Sequence, residues 1–555
     1  MILRIKDDES LANANFDNLS SSPFFDPALI GELKSIQFLI KKEKAIEKVK
    51  EQQKESPDFE SFILSCLKEK LVLSTDQIQD LIEKEFDHTI LVDGFISRFL
   101  RKASKTNQPY EIEMVSKGSE FEYTYKESTQ TVSMLSDILV ALRDGTVPGE
   151  GIEKISVGND SILSEADSQI DRVKIGKSGF KFLIGDYGSG KTFLSKLIQQ
   201  KAFDKGFVVS YNTISQETPF QKFEDLFKRI MDHMQTRDYR VASALSLMIE
   251  EWLLQLEDNL IEAEHLHRNQ DTQKLCTLME SKINDQLSQI GEQESSFTRA
   301  IRGYYKARLS RDNELAQSSL AWLKGEHVRA DLKKEIEIKG DMNKSSAITF
   351  FQTWIRMIKT IGYSGLVIIF DEMETIQKLR TIDLRLEAYK NLRLFIDESD
   401  KNSFPNCYFL FTGTNSFLEG ERGIKSYEPL FQRIFIEKDK TFPNHREPIL
   451  YIDRMSKDSL FQISKKISSI HGEVYHWNPD NKITEPFLSK MIHDLTIDPE
   501  TKGRIYPRGF IRTFIDILDK AQQFKDYKPE DMFQFTEEIL QKANEVEDDS
   551  FIVKN

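Results

Sequence analysis

Gly185-Asp186-Tyr187-Gly188-Ser189-Gly190-Lys191-Thr192 has the spacing G-x-x-x-x-G-K-[ST] of a phosphate-binding loop. Each fixed position has a chemical task. The glycines allow a backbone tight enough to aim successive N–H groups at one anion, and a helix starting there adds its dipole. Lys191 would reach the β- and γ-phosphates of ATP, and Thr192 would offer its hydroxyl to Mg2+. The alternative is a glycine-rich turn that happens to carry Lys-Thr. The flanks argue against it: Phe180–Ile184 reads as a short strand, and Phe193–Ile198 continues with helical spacing.

A second stretch supplies the other half of such a site. Gly365-Leu366-Val367-Ile368-Ile369-Phe370 is an apolar strand that ends in Asp371-Glu372, an aspartate to hold hydrated Mg2+ and a glutamate to polarise an attacking water. An edge strand also often ends in acids, so this signal gains its weight from the phosphate loop. Cys407–Phe411 reads as another buried strand, and Thr412-Gly413-Thr414-Asn415 puts small polar groups at its C-terminal end, where open α/β sheets bind ligands. Farther on, a helix opens at Pro507 with Arg508 and Arg512 in or near its first turn. Cations there oppose the helix dipole, which points to something external as their partner.

These groups need elements to carry them. Gly206–Asn212 reads as a further core strand, and 218–360 is almost wholly helical in pattern. That crossover far exceeds what joins two parallel strands, so about 236–345 is expected to be a helical insertion that contacts partners. Ser136–Arg143 and a stretch ending near Lys174 read as helices before the loop. Ile155 and Val157, on the entry to the core, are candidates to lie against a base. Pro429–Ile436 is expected to end in a short strand, and the chain to be helical again from about His445.

The first 28 residues read as a poorly structured or docking arm, and the lysine-rich run to about Lys54 as a solvated helix rather than a nucleic-acid stripe, since glutamates are interleaved. Amphipathic runs at 59–67, 76–82 and 91–105 precede two period-two stretches, Tyr110–Val115 and Phe121–Tyr125. Three short helices and a hairpin are the order of a winged helix. Its third helix would present Arg98, Arg101, Lys102 and Lys105 to a DNA major groove, with Lys117 at the wing tip. Glu111, Glu113, Glu120 and Glu122 make the wing acidic, so a protein-contacting winged helix is the competing reading.

A length of 555 residues suits several domains, and 39% hydrophobic residues can fill their cores. The expected divisions are 1–56, an arm and helix; 57–128, the winged-helix segment; 129–444, the ATPase core with its insertion; and 445–555, a helical lid and tail. No run of about 18 apolar residues is present and the first residues lack a signal-peptide core, so a cytoplasmic protein without a membrane span is expected. Cys66, Cys276 and Cys407 have no metal-like spacing and read as buried free thiols. A net charge of −14 excludes nucleic-acid coating by the whole surface, leaving only a local patch.

The set, in this order, resembles an AAA+-type ATPase of the initiator clade. The resemblance makes Lys191 and Thr192 the Walker A pair, Asp371 and Glu372 the Walker B pair, Asn415 the sensor-1 residue and Arg512 the sensor-2 arginine of a lid helix, with Arg508 as its rival. Arg433 stands where that clade often has an arginine finger, and Arg422 competes with it. A narrower resemblance is carried by Ala141-Leu142-Arg143-Asp144-Gly145-Thr146-Val147-Pro148, the phosphate loop, Trp322-Leu323-Lys324-Gly325 and Gly362-Tyr363-Ser364-Gly365-Leu366. These are similar to the ATP-binding proteins of BREX phage-defence systems, the BrxD-like group, over about 135–530. It implies an ATP- and Mg2+-using α/β ATPase, oligomeric, working with other defence proteins and with double-stranded DNA as the eventual target. A nucleotide-gated scaffold with little turnover and an ATP-driven DNA translocase are the competing functions; Asp371-Glu372 argues against the first, and the lack of further helicase motifs against the second.

Overall fold

The computed structural model describes the strands Leu73–Ser74, Tyr110–Lys117 and Glu120–Glu127, and residues 130–532 apart from 216–219, 241–243, 267–270, 289–294, 311, 342–343, 436–442 and 497–506. The N-terminal arm, the lysine-rich run and the helices expected at 59–67, 76–82 and 91–105 lie outside the described residues. The chain divides into two compact units, 1–130 and 131–555.

In the first unit β2 (Tyr110–Lys117) and β3 (Glu120–Glu127) form an antiparallel hairpin, with Lys117 opposite Glu120 and Tyr110 opposite Glu127. This is the hairpin that the alternation predicts. The two-residue β1 (Leu73–Ser74) adds a strand on the β3 side, Leu73 opposite Tyr123.

The second unit is built on a mostly parallel sheet. Its strands are β4 (Gly179–Ile184), β5 (Val208–Thr213), β6 (Met234–Gln235), β7 (Leu366–Asp371), β8 (Cys407–Gly413) and β9 (Ile449–Tyr451), in the order β6-β5-β7-β8-β4-β9, with only β6 antiparallel. Every residue of β7 and β8 is buried, which is why both read as unbroken apolar runs rather than as alternation. Val367, Ile369, Tyr408 and Leu410 face one layer, with Ile170 of helix α2 (Asp160–Lys174) and Leu194 and Ile198 of α3 (Lys191–Asp204). Ile368, Phe370, Phe409 and Phe411 face the other. There Phe411 stacks on Phe182 at 5.0 Å and on Phe370 at 5.5 Å. This is a mostly parallel α/β core in which the phosphate-loop sequence joins β4 to α3.

Between β6 and β7 come the helices Ala244–Glu264, Thr272–Ser288, Ser295–Ser310, Asn313–Leu323, Ala330–Glu335 and Lys344–Ile361, the helical insertion expected there. Its apolar residues, Trp252, Phe297 and Trp354 among them, join the same cluster as the core. Trp354 Nε1 donates to Leu323 O at 2.9 Å, so even the buried indole N–H is satisfied.

The lid has its own core. Ile463 and Ile467 of Lys457–Tyr475, Phe487 and Met491 of Glu485–Thr496, and Phe514 and Leu518 of Pro507–Gln523 pack together. Leu135, Ile138, Leu139 and Leu142 of helix α1 (Gln130–Arg143) belong to that same cluster, as does Ile155. Helix α1 thus packs with the lid although it precedes the core in sequence.

Two local expectations are corrected. Residues Glu428–Ile434 form a helix, with Pro429 in its first turn, Leu430 and Ile434 buried at i,i+4 spacing and Phe431 stacked on Phe435 at 4.4 Å. The strand comes later: β9 lies inside the stretch read as helical and pairs with β4, Phe182 opposite Ile449. Among the described residues no helix is long and apolar enough to cross a membrane. Cys407 is buried and Cys276 half-buried, both as free thiols.

Candidate functional site

β4 delivers the chain to Gly185. A Cβ there would stand 2.5 Å from Ser189 Oγ and 3.0 Å from Ile452 O, so only glycine lets the loop pass this close to the end of β9. Helix α3 then starts at Lys191, capped by Gly190 in the left-handed region at φ 93°. That cap has no side chain to accept from the first-turn N–H groups, which suits them to an anion.

Lys191 is buried, and its Nζ donates to Gly185 O and Asp186 O, each at 3.0 Å. Burial pulls its ammonium below the usual lysine range, against the charges of Glu374, Asp371, Asp186 and Glu372. Thr192 Oγ1 donates to Asp371 Oδ2 at 3.1 Å, joining the loop to the end of β7. The Tyr211 hydroxyl, at the end of β5, donates to the same oxygen. Asp371 Oδ1 accepts from the Thr412 hydroxyl at the end of β8 and from Glu372 N at 3.0 Å. Asp371 is thereby held by the phosphate loop and by the two strands that flank β7.

Glu372 adopts φ 59° and ψ 41°, a left-handed backbone unusual for a residue with a side chain. Its N–H is also 3.3 Å from Thr412 Oγ1. The side chain has open surface, yet the surrounding walls and then the Asp371 charge raise its carboxyl above the ordinary glutamate range, while Lys378, Lys191 and Arg508 oppose that. Glu374, two residues on, is buried with Oε2 unpartnered among the described residues. Desolvation raises it too, and the Tyr187 hydroxyl, which bonds to it, is pushed up to about 12, chiefly by burial.

Asn415 opens the helix Asn415–Glu419, and its Nδ2 donates to Asp186 Oδ1 at 2.8 Å. Arg454 Nη2 donates to Asp186 Oδ2 at 2.7 Å. Those two bonds, Arg454 first, hold the Asp186 carboxyl below its ordinary value. From the lid, Arg508 is near enough to act on Glu372, whereas Arg512 Nε donates to Arg143 O at 3.2 Å. Arg143 in turn grips both oxygens of Asp519 at 2.9 Å, tying helix α1 to the lid helix. Ile155 is buried in the lid cluster and Val157 packs against it, as does Phe193 at the start of α3.

The model of the family described as BREX system ATP-binding protein BrxC/D matches residues 133–537. The chain belongs to this BrxC/D family. No curated protein matches it. Among solved structures, it is similar to the ORC2 protein of Aeropyrum pernix, determined in ADPNP and ADP complexes. That likeness has 12% identity and a TM-score of 0.33, over 71% of this chain and 68% of that one, and is too distant for a residue-level correspondence.

In this BrxC/D family member the structure brings Lys191, Thr192, Asp371, Glu372 and Asn415 around the phosphate loop, with the Arg508 charge acting on Glu372 from the lid. It keeps Arg433 elsewhere: its guanidinium pairs with Asp397 at 2.9 Å and with Asp400 at 3.8 Å. Arg422 is exposed, its carbonyl accepting from the Tyr389 hydroxyl at 2.6 Å. Arg98, Arg101, Lys102 and Lys105 lie outside the described residues, and Lys117 ends β2. Tyr211, Glu374 and Arg454 escaped the sequence reading. Tyr211 had the same signal as Thr412, a polar group near a core strand's C-terminal end; Glu374 and Arg454 stand in no motif.

Proposed function

We propose that this chain is an ATPase of a bacterial phage-defence system, which binds ATP·Mg2+ between core and lid and uses nucleotide state to control its assembly with partner proteins and on DNA. The observation that carries the reading is the Thr192–Asp371 hydrogen bond at 3.1 Å, which joins the phosphate loop to the acidic strand end with Glu372 beside it. A hydroxyl and a carboxylate side by side are hard oxygen donors of the kind Mg2+ takes when phosphates and water complete its shell. Thr192 and Asp371 would hold that ion, which neutralises charge on the phosphates when bound.

The chain's own groups divide the rest of the work. The loop backbone and Lys191 bind the β- and γ-phosphates, and Lys191 exchanges the carbonyls of Gly185 and Asp186 for them. Glu372 accepts a hydrogen bond from the attacking water, and Asn415 helps to place that water. Arg508 carries the lid's positive charge to the same corner, where its charge already acts on Glu372; Arg512 supports it by fixing the lid helix to Arg143. Arg433 acts on a neighbouring subunit as the finger, after leaving Asp397. Arg98, Arg101, Lys102, Lys105 and Lys117 supply the DNA contacts.

Steady-state ATP hydrolysis by the full chain tests this, over a range of protein concentrations, with and without duplex DNA and with Mg2+ removed. Turnover that needs Mg2+ and rises per subunit with concentration or DNA is the expected result. ATP binding without turnover under every condition favours the scaffold instead.

A further inference from the structure

Arg454 belongs to none of the motifs above. It lies between β9, which ends at Tyr451, and the lid helix that starts at Lys457, in the stretch that carries the chain from core to lid. From there Nη2 reaches Asp186 Oδ2 at 2.7 Å, while Asn415 Nδ2 takes Oδ1 of the same carboxylate at 2.8 Å. Both members of the ion pair are nearly half exposed, 47% and 43%. Such a pair contributes only about 0.2–1 kcal/mol, so bracing the loop is a weak reason for it.

Recognition of an anion is a stronger one. A guanidinium fork and an amide are gripping one carboxylate in the phosphate loop, and the fork fits phosphate oxygens as well as carboxylate oxygens. A phosphate group carries more charge and more acceptor oxygens than Asp186. Because Asn415 is the group that our ATP reading directs to the terminal phosphate and water, its partner on the same carboxylate is directed to the same place.

We propose that Arg454 is a nucleotide-positioning residue: with Asn415 it holds Asp186 until the terminal phosphate of ATP enters, then transfers to that phosphate. Asp186 is the competitor that keeps both donors near the loop. Since Arg454 stands on the passage to the lid, its transfer gives the lid a contact that distinguishes ATP from ADP. This inference rests on the ATP reading.

The test is a titration of the full chain with fluorescent ATP and ADP analogues in Mg2+, for wild type, Arg454→Ala, Arg454→Lys and Asp186→Ala, each checked for an unchanged melting temperature. Arg454→Ala should weaken ATP about tenfold and ADP less than about twofold, as expected for one charge-assisted bond to the terminal phosphate. Arg454→Lys should recover part of the ATP affinity. Asp186→Ala should tighten ATP about threefold, by removing a competitor of modest strength. Equal losses for ATP and ADP in Arg454→Ala, or none, overturn the proposal, and so does weaker ATP binding by Asp186→Ala. Should Arg454→Ala fail to fold, the ATP to ADP ratios of Arg454→Lys and Asp186→Ala decide it in the same way. A wild-type chain that binds neither analogue overturns the ATP reading itself, and this inference with it.

Discussion

Asp371 accepts four hydrogen bonds, from Thr192, Tyr211, Thr412 and the backbone of Glu372. A carboxylate so fully held has one orientation, and Thr412 also steadies the Glu372 N–H. Thr412→Val removes a donor without changing the volume much. Supporting partners of this kind are typically worth about 10–100-fold in metal affinity or activity, so the Mg2+ concentration for half-maximal turnover should rise by about that factor. A variant with an unchanged Mg2+ requirement would show that Thr412 is incidental. Lys196 gives a prediction about stability and pH. Its Nζ lies 3.7 Å over the Tyr211 ring, and burial lowers its pKa to about 8. The unfolded chain keeps the ordinary lysine value near 10.4, so between those pH values the unfolded state binds the extra proton and wild-type stability rises with pH. Lys196→Met should therefore be more stable than wild type below about pH 8, by on the order of 1–2 kcal/mol, with the gain vanishing by about pH 10.5. Denaturant melts of both proteins at pH 7 and pH 10 check it.

At the scale of elements, the lid depends on a core of its own, and Phe514 is fully buried at its centre. Phe514→Ala should cost about 3–5 kcal/mol, read from the first transition of a thermal melt, because lid and α1 lose a shared contact. A melt unchanged within about 0.5 kcal/mol would contradict the packing described. Much of the fold was legible beforehand: β4, β5, β7 and β8 announce themselves as apolar runs, and the helices of the insertion by their spacing. What was hidden has physical causes. β9 has only three residues, too few for a period to register, and its place is set by pairing with β4 rather than by propensity. Pro429 and the i,i+4 pair Leu430 and Ile434 spoke for a helix, but the aromatic and β-branched end of that stretch suggested a strand. The membership of α1 in the lid could not be read at all, since an amphipathic face does not say which core it will meet. In the site, Lys191, Thr192, Asp371 and Glu372 were visible because a motif fixes their spacing. Arg454 was not, because its partner Asp186 is 268 positions away and only the fold brings them together.

For the whole molecule, hydrolysis is expected to need an assembly, with Arg433 of one subunit completing the site of the next. Within the subunit Arg433 pairs with Asp397 and Asp400, half-exposed on the arginine side, and must leave both to act on a neighbour. Arg433→Ala should keep ATP binding but lose turnover, and mixing it with Glu372→Gln should restore part of the activity, since one variant retains the site and the other the finger. No recovery on mixing would place the finger elsewhere, with Arg422 the next to test. The measurement that bears most directly on the central claim pairs ATP hydrolysis with ATP binding in wild type and Glu372→Gln. Loss of a positioned base should cut turnover by about 10²–10⁴-fold while ATP binding stays within about twofold of wild type. Equal turnover in both proteins, or ATP bound by neither, would contradict a site built from the phosphate loop and the Asp371-Glu372 strand end.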